Sequence, residues 1–362
     1  MQTPHLLLAL SGHGYGHLAQ CAPVVNALWR DIPGMRLTVS GNLSQAVIAE
    51  RLDQPFDYCQ AELDPVLRMF NAWEVDIPAS QDIYREFHRN FDAGLKQDIA
   101  FLKQYRPDLV LADIPFRILL AATQLEIPAV GLCSLNWAAI YAAYCDGNSE
   151  DRQLLEHMWA GYCAADLFLA PVPAIPMPEL ENLQLIGPIA RQGVRQKTRL
   201  LEQCGTTRPT KFVLVALGGI ATDLPLDSWP HIENVVWILA SAVQSGRDDL
   251  VTLGALGMSF IDVLASADVV LTKPGYGTYA EAVCNGIPVL TIERPDWPET
   301  SYLNEWVRQH GHLEVMSREQ FYSGTFAPLL GSLLAQTQKQ NIEPTGINQA
   351  AGRIQALLAT DI

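Results

Sequence analysis

One segment of the chain combines the residue types that hold a phosphorylated ligand. Lys273 and Gly275 follow a strand-like run, and a predicted helix that begins near Gly277 carries Thr278 and Glu281 on one face. The backbone N–H groups and the positive dipole end of a helix start attract an anion, and the lysine adds a full charge. The carboxylate can accept hydrogen bonds from ribose hydroxyls. The segment therefore predicts a nucleotide site; the alternative is a structural turn whose glutamate only complements the helix dipole.

A second glycine-rich loop, at residues 11–17, carries two histidines. It follows the apolar run at 5–10, and apolar residues at helical spacing come after it. Its glycine spacing differs from that of the dinucleotide-binding fingerprint. Open α/β sheets bind ligands at the carboxyl ends of their parallel strands, so the loop predicts a second site. A third loop of this kind begins with Gly218 and Gly219.

Composition restricts the class of protein and of partner. The chain has 362 residues, of which 49% are hydrophobic and 17% are charged, and its net charge is −15. This length predicts two domains, and the negative charge argues against nucleic acid or an anionic membrane surface as the main partner. The seven cysteines are scattered, which predicts reduced, buried thiols rather than disulfides or a zinc site. The sequence shows no membrane-spanning run and no signal-peptide pattern, so we expect a cytoplasmic protein.

Strand-like and helix-like patterns alternate along the chain, which predicts parallel sheets with right-handed crossovers. We expect an α/β protein with two Rossmann-like domains that face each other across a cleft. The first covers residues 1–178 and ends in a Pro-rich linker at 170–178, the second covers 179–345, and a last helix covers 346–362. The predicted strands are 5–10, 36–40, 108–112, 129–133, 167–170, 184–187, 211–217, 235–239, 250–253, 268–272 and 288–292; the longer predicted helices are 81–105 and 115–125.

The order of these motifs resembles that of the GT-B glycosyltransferases. Within that group the chain is similar to glycosyltransferase family 28, whose familiar member adds N-acetylglucosamine to the lipid-linked cell-wall precursor. It is more similar still to the N-terminal glycosyltransferase-like region of plant L-arabinokinases. The likeness spans nearly the whole chain and rests on residues 11–17, 113–115, 136–144, 273–278 and 293–299.

This resemblance implies that the C-terminal domain binds a nucleotide-sugar donor and the N-terminal domain binds the acceptor. It also implies that the last helix packs back on the first domain. Glu281 would bind the ribose, the helix start would bind the diphosphate, and Gly257 and Met258 would hold the nucleobase. Further donor-side candidates are Arg191, Gly218, Gly219, Lys273, Gly275, Tyr276, Gly277, Thr278, Arg294, Asp296 and Glu299. Thr300 and Ser301 stand where the cell-wall enzyme has two glutamines, which argues against N-acetylglucosamine as the sugar.

Transfer to a hydroxyl needs a base. His13 is the preferred candidate, because imidazole titrates near neutral pH, and Asp113 at the end of a neighbouring predicted strand could fix its tautomer. The alternatives are that His13 positions the diphosphate or lines the cleft, and that Asp113 caps the following helix. The acceptor-side candidates are Gly14, His17, Trp137 and Tyr141; His17 suits a structural or phosphate-side role, and the two aromatic residues are either core or stacked on an acceptor.

We therefore expect a metal-independent, inverting hexosyltransferase that needs no cofactor and uses a nucleoside-diphosphate sugar, most simply a UDP-sugar. The sequence identifies neither the acceptor nor the oligomeric state. No D-x-D pair follows a predicted strand, which favours charge stabilisation by protein groups rather than by a metal ion. Two alternatives remain: a sugar-nucleotide epimerase of the same fold, which turns over without an acceptor, and a nucleotide-sugar-binding protein without catalysis.

Overall fold

The computed structural model describes residues 3–145, 147–206, 208–219, 222–240, 245–336 and 341–360. The chain forms two compact units. Unit 1 comprises Met1–Phe70, Val75–Ile189 and Thr345–Ile362, and unit 2 comprises Asn71–Glu74 and Ala190–Pro344. The boundary therefore lies after Ile189 rather than at residue 178. A short piece of the N-terminal half, residues 71–74, also belongs to unit 2.

Unit 1 is built on a seven-stranded sheet in which the paired strands are parallel among the residues described. Its strands are β1 (His5–Leu10), β2 (Arg36–Gly41), β3 (Asp57–Gln60), β4 (Leu109–Asp113), β5 (Ala129–Leu132), β6 (Leu167–Pro171) and β7 (Leu183–Ile186). They lie in the order β3-β2-β1-β4-β5-β6-β7. The Pro-rich segment connects β6 to β7 inside this sheet, so its prediction as an interdomain linker is wrong.

Helices connect these strands. They are α1 (Gly16–Asp31), α2 (Gln45–Ala49), α3 (Ile77–Arg89), α4 (Phe91–Tyr105), α5 (Phe116–Gln124), α6 (Trp137–Ala142) and α7 (Ser149–Ala164). The long helix predicted at 81–105 is two helices that meet at Asn90. The Asn90 side chain donates to the carbonyl of Glu86, and such side-chain bonds compete with the helical pattern.

Unit 2 holds a six-stranded sheet, again with parallel pairing in the described residues. Its strands are β8 (Lys211–Ala216), β9 (Val235–Leu239), β10 (Leu250–Thr252), β11 (Val269–Thr272), β12 (Val289–Ile292) and β13 (Leu313–Met316), in the order β10-β9-β8-β11-β12-β13. Its helices are α8 (Lys197–Gln203), α9 (Phe260–Ser266), α10 (Tyr276–Cys284), α11 (Thr300–His310), α12 (Arg318–Ser323) and α13 (Ala327–Leu334).

The central strands are buried along most or all of their length, which explains their largely apolar sequences. Every residue of β1 and of β11 is buried, as expected for parallel strands covered on both faces. The two strands that the sequence analysis missed, β3 and β13, are edge strands whose polar residues are exposed or half-buried. Their sequences, DYCQ and LEVM, lack the apolar run on which the other strand predictions depended.

The last helix, α14 (Gly346–Thr360), belongs to unit 1. Ala350, Ile354 and Leu358 lie in the same apolar core as β1 and α1. The helix thus packs on the N-terminal unit, as the resemblance implied. Within the described ranges no helix is long and apolar enough to cross a membrane.

Candidate functional sites

In each sheet the strand order reverses at one place, which lies between the first and the fourth strand of that sheet in sequence. In unit 1 this place lies between β1 and β4, and in unit 2 it lies between β8 and β11. Open α/β sheets bind ligands outside the carboxyl ends of the strands at such a switch point. The loop after β1 and Asp113 at the end of β4 meet at the first switch point, and Gly218 and Lys273 follow the two strands at the second. The predicted site residues therefore divide between two candidate sites, one in each unit.

At the first switch point, Asp113 pairs with His17. The Asp113 Oδ1 atom accepts a hydrogen bond from His17 Nδ1 at 2.8 Å, and both residues are buried. The sequence analysis expected Asp113 to orient His13, and this pairing is wrong. Helix α1 begins at Gly16, so its first turn carries His17 back over the end of β4. His13 is half-buried in the preceding loop, before Gly14, whose φ of 74° turns the backbone.

Two cysteines flank the His17–Asp113 pair. Cys21, one helical turn after His17, donates to Asp113 Oδ2 at 3.2 Å, and Cys133 Sγ lies 3.8 Å from His17 Nδ1. Burial, together with the Asp113 carboxylate, raises the pKa of the Cys21 thiol. The sequence analysis did not assign either cysteine to a site, although the i, i+4 spacing of His17 and Cys21 places them on one helix face.

All seven cysteines lie in the described residues, and none of them forms a disulfide. The expectation that the thiols are buried holds for Cys21, Cys133 and Cys284, whereas Cys163 is exposed and the other three are half-buried. Cys21 and Cys133, the buried pair near His17, lie at the first candidate site.

A buried carboxylate that the sequence analysis missed lies beside this pair. Asp64 Oδ2 accepts a hydrogen bond from Trp137 Nε1 at 2.6 Å. Burial raises the pKa of Asp64 to about 6, although hydrogen bonds from the Ser11 hydroxyl and Trp137 act in the opposite direction. Asp64 lies in an irregular segment after β3, where no periodic pattern marks a buried position.

The two aromatic acceptor-side candidates are core residues. Trp137 and Tyr141 are completely buried. Tyr84 stacks on the Tyr141 ring with centroids 4.5 Å apart, and the Tyr141 hydroxyl donates to Asp151. The ring of Trp137 packs edge-on against His13 at 5.3 Å. Stacking of either ring on an acceptor, which the sequence analysis allowed, is therefore not what this structure provides.

At the second switch point, Lys273 lies between two glycines. A Cβ atom added to Gly275 would lie 3.5 Å from Lys273 Nζ, and one added to Gly218 would lie 3.7 Å from Lys273 Cε. Gly218 has a φ of 83°, and both it and Gly219 are exposed. Burial lowers the pKa of Lys273 to about 7; nearby Arg294 lowers it and Glu299 raises it. A lysine that titrates near neutral pH thus sits among open backbone groups.

Helix α10 begins at this lysine's loop and positions Glu281. Gly277 and Thr278 are half-buried at the helix start, whereas the side chain of Tyr276 lies in the core, so only its backbone can face a ligand. Glu281, which is 4% exposed, accepts a hydrogen bond from Arg191 Nε at 3.0 Å. Glu281, which the resemblance assigned to the ribose, therefore pairs with Arg191, another donor-side candidate.

The loop after β12 is divided between buried and exposed side chains. Arg294 is buried, and its guanidinium carbon lies 4.0 Å from the centroid of the Trp297 ring. Glu299 is also buried and accepts from Trp297 Nε1 at 3.3 Å. Asp296 is exposed and pairs with Arg318 at 3.4 Å. The two predicted sugar-reading carboxylates, Asp296 and Glu299, thus lie in very different surroundings.

The residues predicted to hold the nucleobase of the donor lie before α9. Gly257 has a φ of 54° and is exposed, and its carbonyl accepts a hydrogen bond from Arg199 at 2.8 Å. Met258 is half-buried and packs on the apolar core of unit 2. The Gly257 carbonyl is therefore already engaged by a side chain.

Comparisons with known proteins agree with this architecture. The chain is 22% identical over 335 residues to L-arabinokinase of Arabidopsis thaliana, a match that covers 91% of this chain and 32% of the plant protein. The chain thus spans about a third of that relative. No protein-family model matches the chain.

Solved structures give the fold. The calicheamicin glycosyltransferase CalG4 matches with a TM-score of 0.69 and 19% identity, over 99% of both chains. A UDP-glucosyltransferase from Polygonum tinctorium matches with 0.63 and 15%, over 99% of this chain and 94% of that one. A protein described as a UDP-N-acetylglucosamine 2-epimerase, from Listeria monocytogenes, matches with a TM-score of 0.59 and 15% identity, over 98% of this chain and 96% of that one. The chain has the GT-B fold that the sequence analysis predicted.

Proposed function

We propose that the chain is a glycosyltransferase that moves a sugar from a nucleoside-diphosphate sugar, with UDP as the first nucleotide to test, to an acceptor hydroxyl. Unit 2 binds the donor, and unit 1 supplies the base and binds the acceptor. The reaction proceeds by one displacement without a metal ion and inverts the configuration of the sugar.

The observation that carries this proposal is the bond between His17 Nδ1 and Asp113 Oδ1 at a switch point. A carboxylate on Nδ1 holds the proton there and keeps the lone pair on Nε2. It also stabilises the imidazolium that forms when Nε2 accepts a proton. His17 therefore replaces His13 as the proposed base, and Asp113 is its positioning residue.

The donor half of the proposal rests on α10 and the loop before it. The N–H groups of the first turn and the Lys273 ammonium suit a diphosphate, because both place positive charge at one end of the sheet. Gly218 and Gly219 leave the backbone open on the neighbouring strand. Glu281 binds the ribose. When the nucleotide binds, hydrogen bonds from the ribose hydroxyls replace part of the contact between Glu281 and Arg191.

The proposed step balances without a further reagent. The acceptor oxygen bonds to the anomeric carbon while the bond from that carbon to the diphosphate oxygen breaks. The hydroxyl proton moves to His17 Nε2, and the electron pair of the broken bond goes to the diphosphate. Lys273 and the N–H groups of the α10 start stabilise that charge, which is the role a metal ion plays elsewhere.

The epimerase alternative keeps one observation in its favour, the fold shared with the Listeria protein. A fold by itself does not determine the reaction. An epimerase converts the nucleotide sugar without an acceptor and without net release of nucleotide. A binding protein without catalysis converts nothing. The three functions therefore differ in what happens to the nucleotide.

A thermal-shift screen tests the donor half. The purified chain is melted with UDP, GDP, dTDP, CDP, ADP and their common sugars, in parallel with Glu281→Ala and with Glu305→Ala, an exposed glutamate of α11. A ligand at 100 times its dissociation constant adds about 2.7 kcal/mol to the folded state. We expect one nucleotide to raise the melting temperature of wild type and Glu305→Ala, and to raise that of Glu281→Ala clearly less. If no nucleotide shifts wild type, the proposed function is wrong.

A further inference from the structure

We infer that His17, Asp113 and Cys133 form a binding site for a zinc-like divalent ion, and that the bound ion switches the proposed base off. His17 Nδ1, an Asp113 carboxylate oxygen and Cys133 Sγ lie within 4.8 Å of one another, and all three residues are buried. Imidazole nitrogen, carboxylate oxygen and thiolate sulfur are the three donor types that Zn²⁺ takes in proteins. All three lie in unit 1, so the site needs no contribution from unit 2.

The spacing of the donor atoms suits a tetrahedral ion after a small adjustment. Zn²⁺ bonds of about 2.0–2.3 Å place neighbouring ligand atoms roughly 3.3–3.8 Å apart in a tetrahedron. The distance from His17 Nδ1 to Cys133 Sγ is 3.8 Å, which is within this range. His17 Nδ1 and Asp113 Oδ1 lie 2.8 Å apart because a proton joins them. An ion in place of that proton requires the two atoms to separate by roughly 0.5 Å.

A second observation, the orientation of Gln20, points to the same ligand. Gln20 Nε2 donates to Cys133 Sγ at 3.5 Å, and Gln20 Oε1 accepts from the Ser134 N–H at 2.9 Å. The second bond fixes which end of the amide faces the sulfur. A fixed N–H donor beside the sulfur is the kind of outer hydrogen-bond partner that metal ligands have in proteins. Gln20 therefore acts as an outer partner of a metal-binding sulfur.

The other cluster with ligand-type side chains in the described residues lacks these features. His231, Asp248 and Asp249 group together in unit 2, but His231 and Asp248 are exposed. Arg247 already holds both oxygens of Asp249, at 2.8 and 2.6 Å. A cation there would have to displace a guanidinium, whereas at Asp113 it displaces only protons.

Ion binding would relocate the His17 proton. In the proposed base, Nδ1 carries the proton and Nε2 carries the lone pair. The ion takes the Nδ1 lone pair, so the neutral ring carries its proton on Nε2, and the Cys133 thiol releases its proton to solvent. The ring then has no lone pair for an acceptor hydroxyl. The inhibition rests on the proposed function, but the binding does not.

Cobalt(II) is the probe for binding, because a cobalt–thiolate bond absorbs light that zinc does not. The whole chain is titrated with Co²⁺ as wild type, Cys133→Ala, Cys133→Ser and Cys163→Ala, the last being an exposed cysteine that serves as the matched control. We expect wild type and Cys163→Ala to develop the charge-transfer band at one equivalent, and Zn²⁺ to remove it. Both Cys133 variants should lose the band. Two variants are used so that one folding failure does not decide the result.

The titration and an activity assay together separate the two proposals. A band of equal strength and affinity in Cys133→Ser would overturn the site, and so would the absence of a band in wild type. Where transfer activity is found, Zn²⁺ should inhibit it reversibly with EDTA, and Cys133→Ser should need at least about tenfold more Zn²⁺ relative to its own metal-free rate. A band without any transfer activity would leave the metal site standing and contradict the proposed function.

Discussion

The two sheets have their switch points at corresponding strands, but the residues at the two points differ in kind. At the switch point of unit 1, buried side chains of His17, Asp113, Cys21 and Cys133 contact one another. At the switch point of unit 2, exposed glycines and the half-buried Lys273 follow the strand ends. Proton transfer needs a side chain with a fixed tautomer in a dry setting, whereas phosphate binding needs open backbone N–H groups. The comparison supports our proposal that unit 1 carries the acid–base chemistry and unit 2 binds the anion.

The largest effect should follow from removing the base of unit 1. General-base catalysis contributes about 10²–10⁴-fold to a rate, so His17→Ala should lower kcat by that factor. Donor affinity should not change, because the donor is assigned to unit 2. Steady-state kinetics and calorimetric titration with the nucleotide measure the two quantities separately.

His13→Ala is the matched control for this prediction, since His13 is the other histidine of the same loop. Its effect on kcat should be smaller than that of His17→Ala. A larger loss in His13→Ala would return the role of base to His13. A loss of nucleotide affinity in His17→Ala would contradict the division of labour between the units.

The second effect concerns the carboxylate of unit 2. Hydrogen bonds to a charged group are worth about 1.5–3 kcal/mol, so Glu281→Ala should weaken nucleotide binding roughly 10- to 150-fold. Calorimetric titration with the nucleotide found in the screen measures this change. Glu305→Ala, on an exposed face of α11, should bind like wild type. Equal affinity in Glu281→Ala would mean that this glutamate serves only to hold Arg191.

The third effect concerns the burial of the Asp64 carboxylate in unit 1. Burial raises the pKa of Asp64 to about 6, so the folded state favours the protonated form and carries an unfavourable charge above pH 6. Asp64→Asn keeps an oxygen for Trp137 and removes that charge. The variant should gain roughly 1–3 kcal/mol of unfolding free energy at pH 8, and the gain should shrink as the pH falls below 6.

Denaturant unfolding at pH 5 and pH 8 checks this prediction. Asp82→Asn, at an exposed position of α3, provides the control and should show no such pH-dependent gain. If Asp64→Asn is equally or less stable than wild type at pH 8, the charge on Asp64 is compensated in the folded protein.

The smallest effect concerns the charge of Lys273. Its pKa is lowered to about 7, so above pH 7 the neutral amine must gain a proton before it can attract a diphosphate. Nucleotide affinity should therefore fall as the pH rises above 7, by at most about tenfold per unit. Lys273→Arg stays charged and should remove the dependence, whereas Lys103→Arg, an exposed control, should keep it. The same pH dependence in Lys273→Arg would show that another group titrates.

The fold could be predicted because most strands have continuous apolar sequences and the connecting helices have clear periodicity. β1 and β11 are buried on both faces, so their sequences need no alternation. The strands β3 and β13 were missed because they are short, partly exposed and contain polar residues, so no apolar run marks them. The Pro-rich segment was interpreted as a linker because proline excludes helix and central strand, but a loop between neighbouring strands satisfies the same restriction.

In unit 1 the sequence analysis found the residues but not their pairing. In unit 2, glycine loops, a lysine and a glutamate predict a nucleotide site through their local order, and that site stays a prediction. The partner of Asp113 depends on where α1 begins, and that start decides whether the first or the second histidine of the loop faces β4. Asp64 and Cys133 come from segments far apart in sequence, so their approach to His17 is a property of the folded sheet alone.

The most direct test of the central claim follows the nucleotide during turnover. The chain is incubated with the UDP-sugar selected by the screen, with and without a panel of hydroxyl acceptors, and UDP release and the anomeric configuration of the product are measured by chromatography and NMR. We predict UDP release that depends on an acceptor, a product of inverted configuration, and loss of both in His17→Ala. Interconversion of the sugar without UDP release, or binding with no conversion at all, would contradict the account.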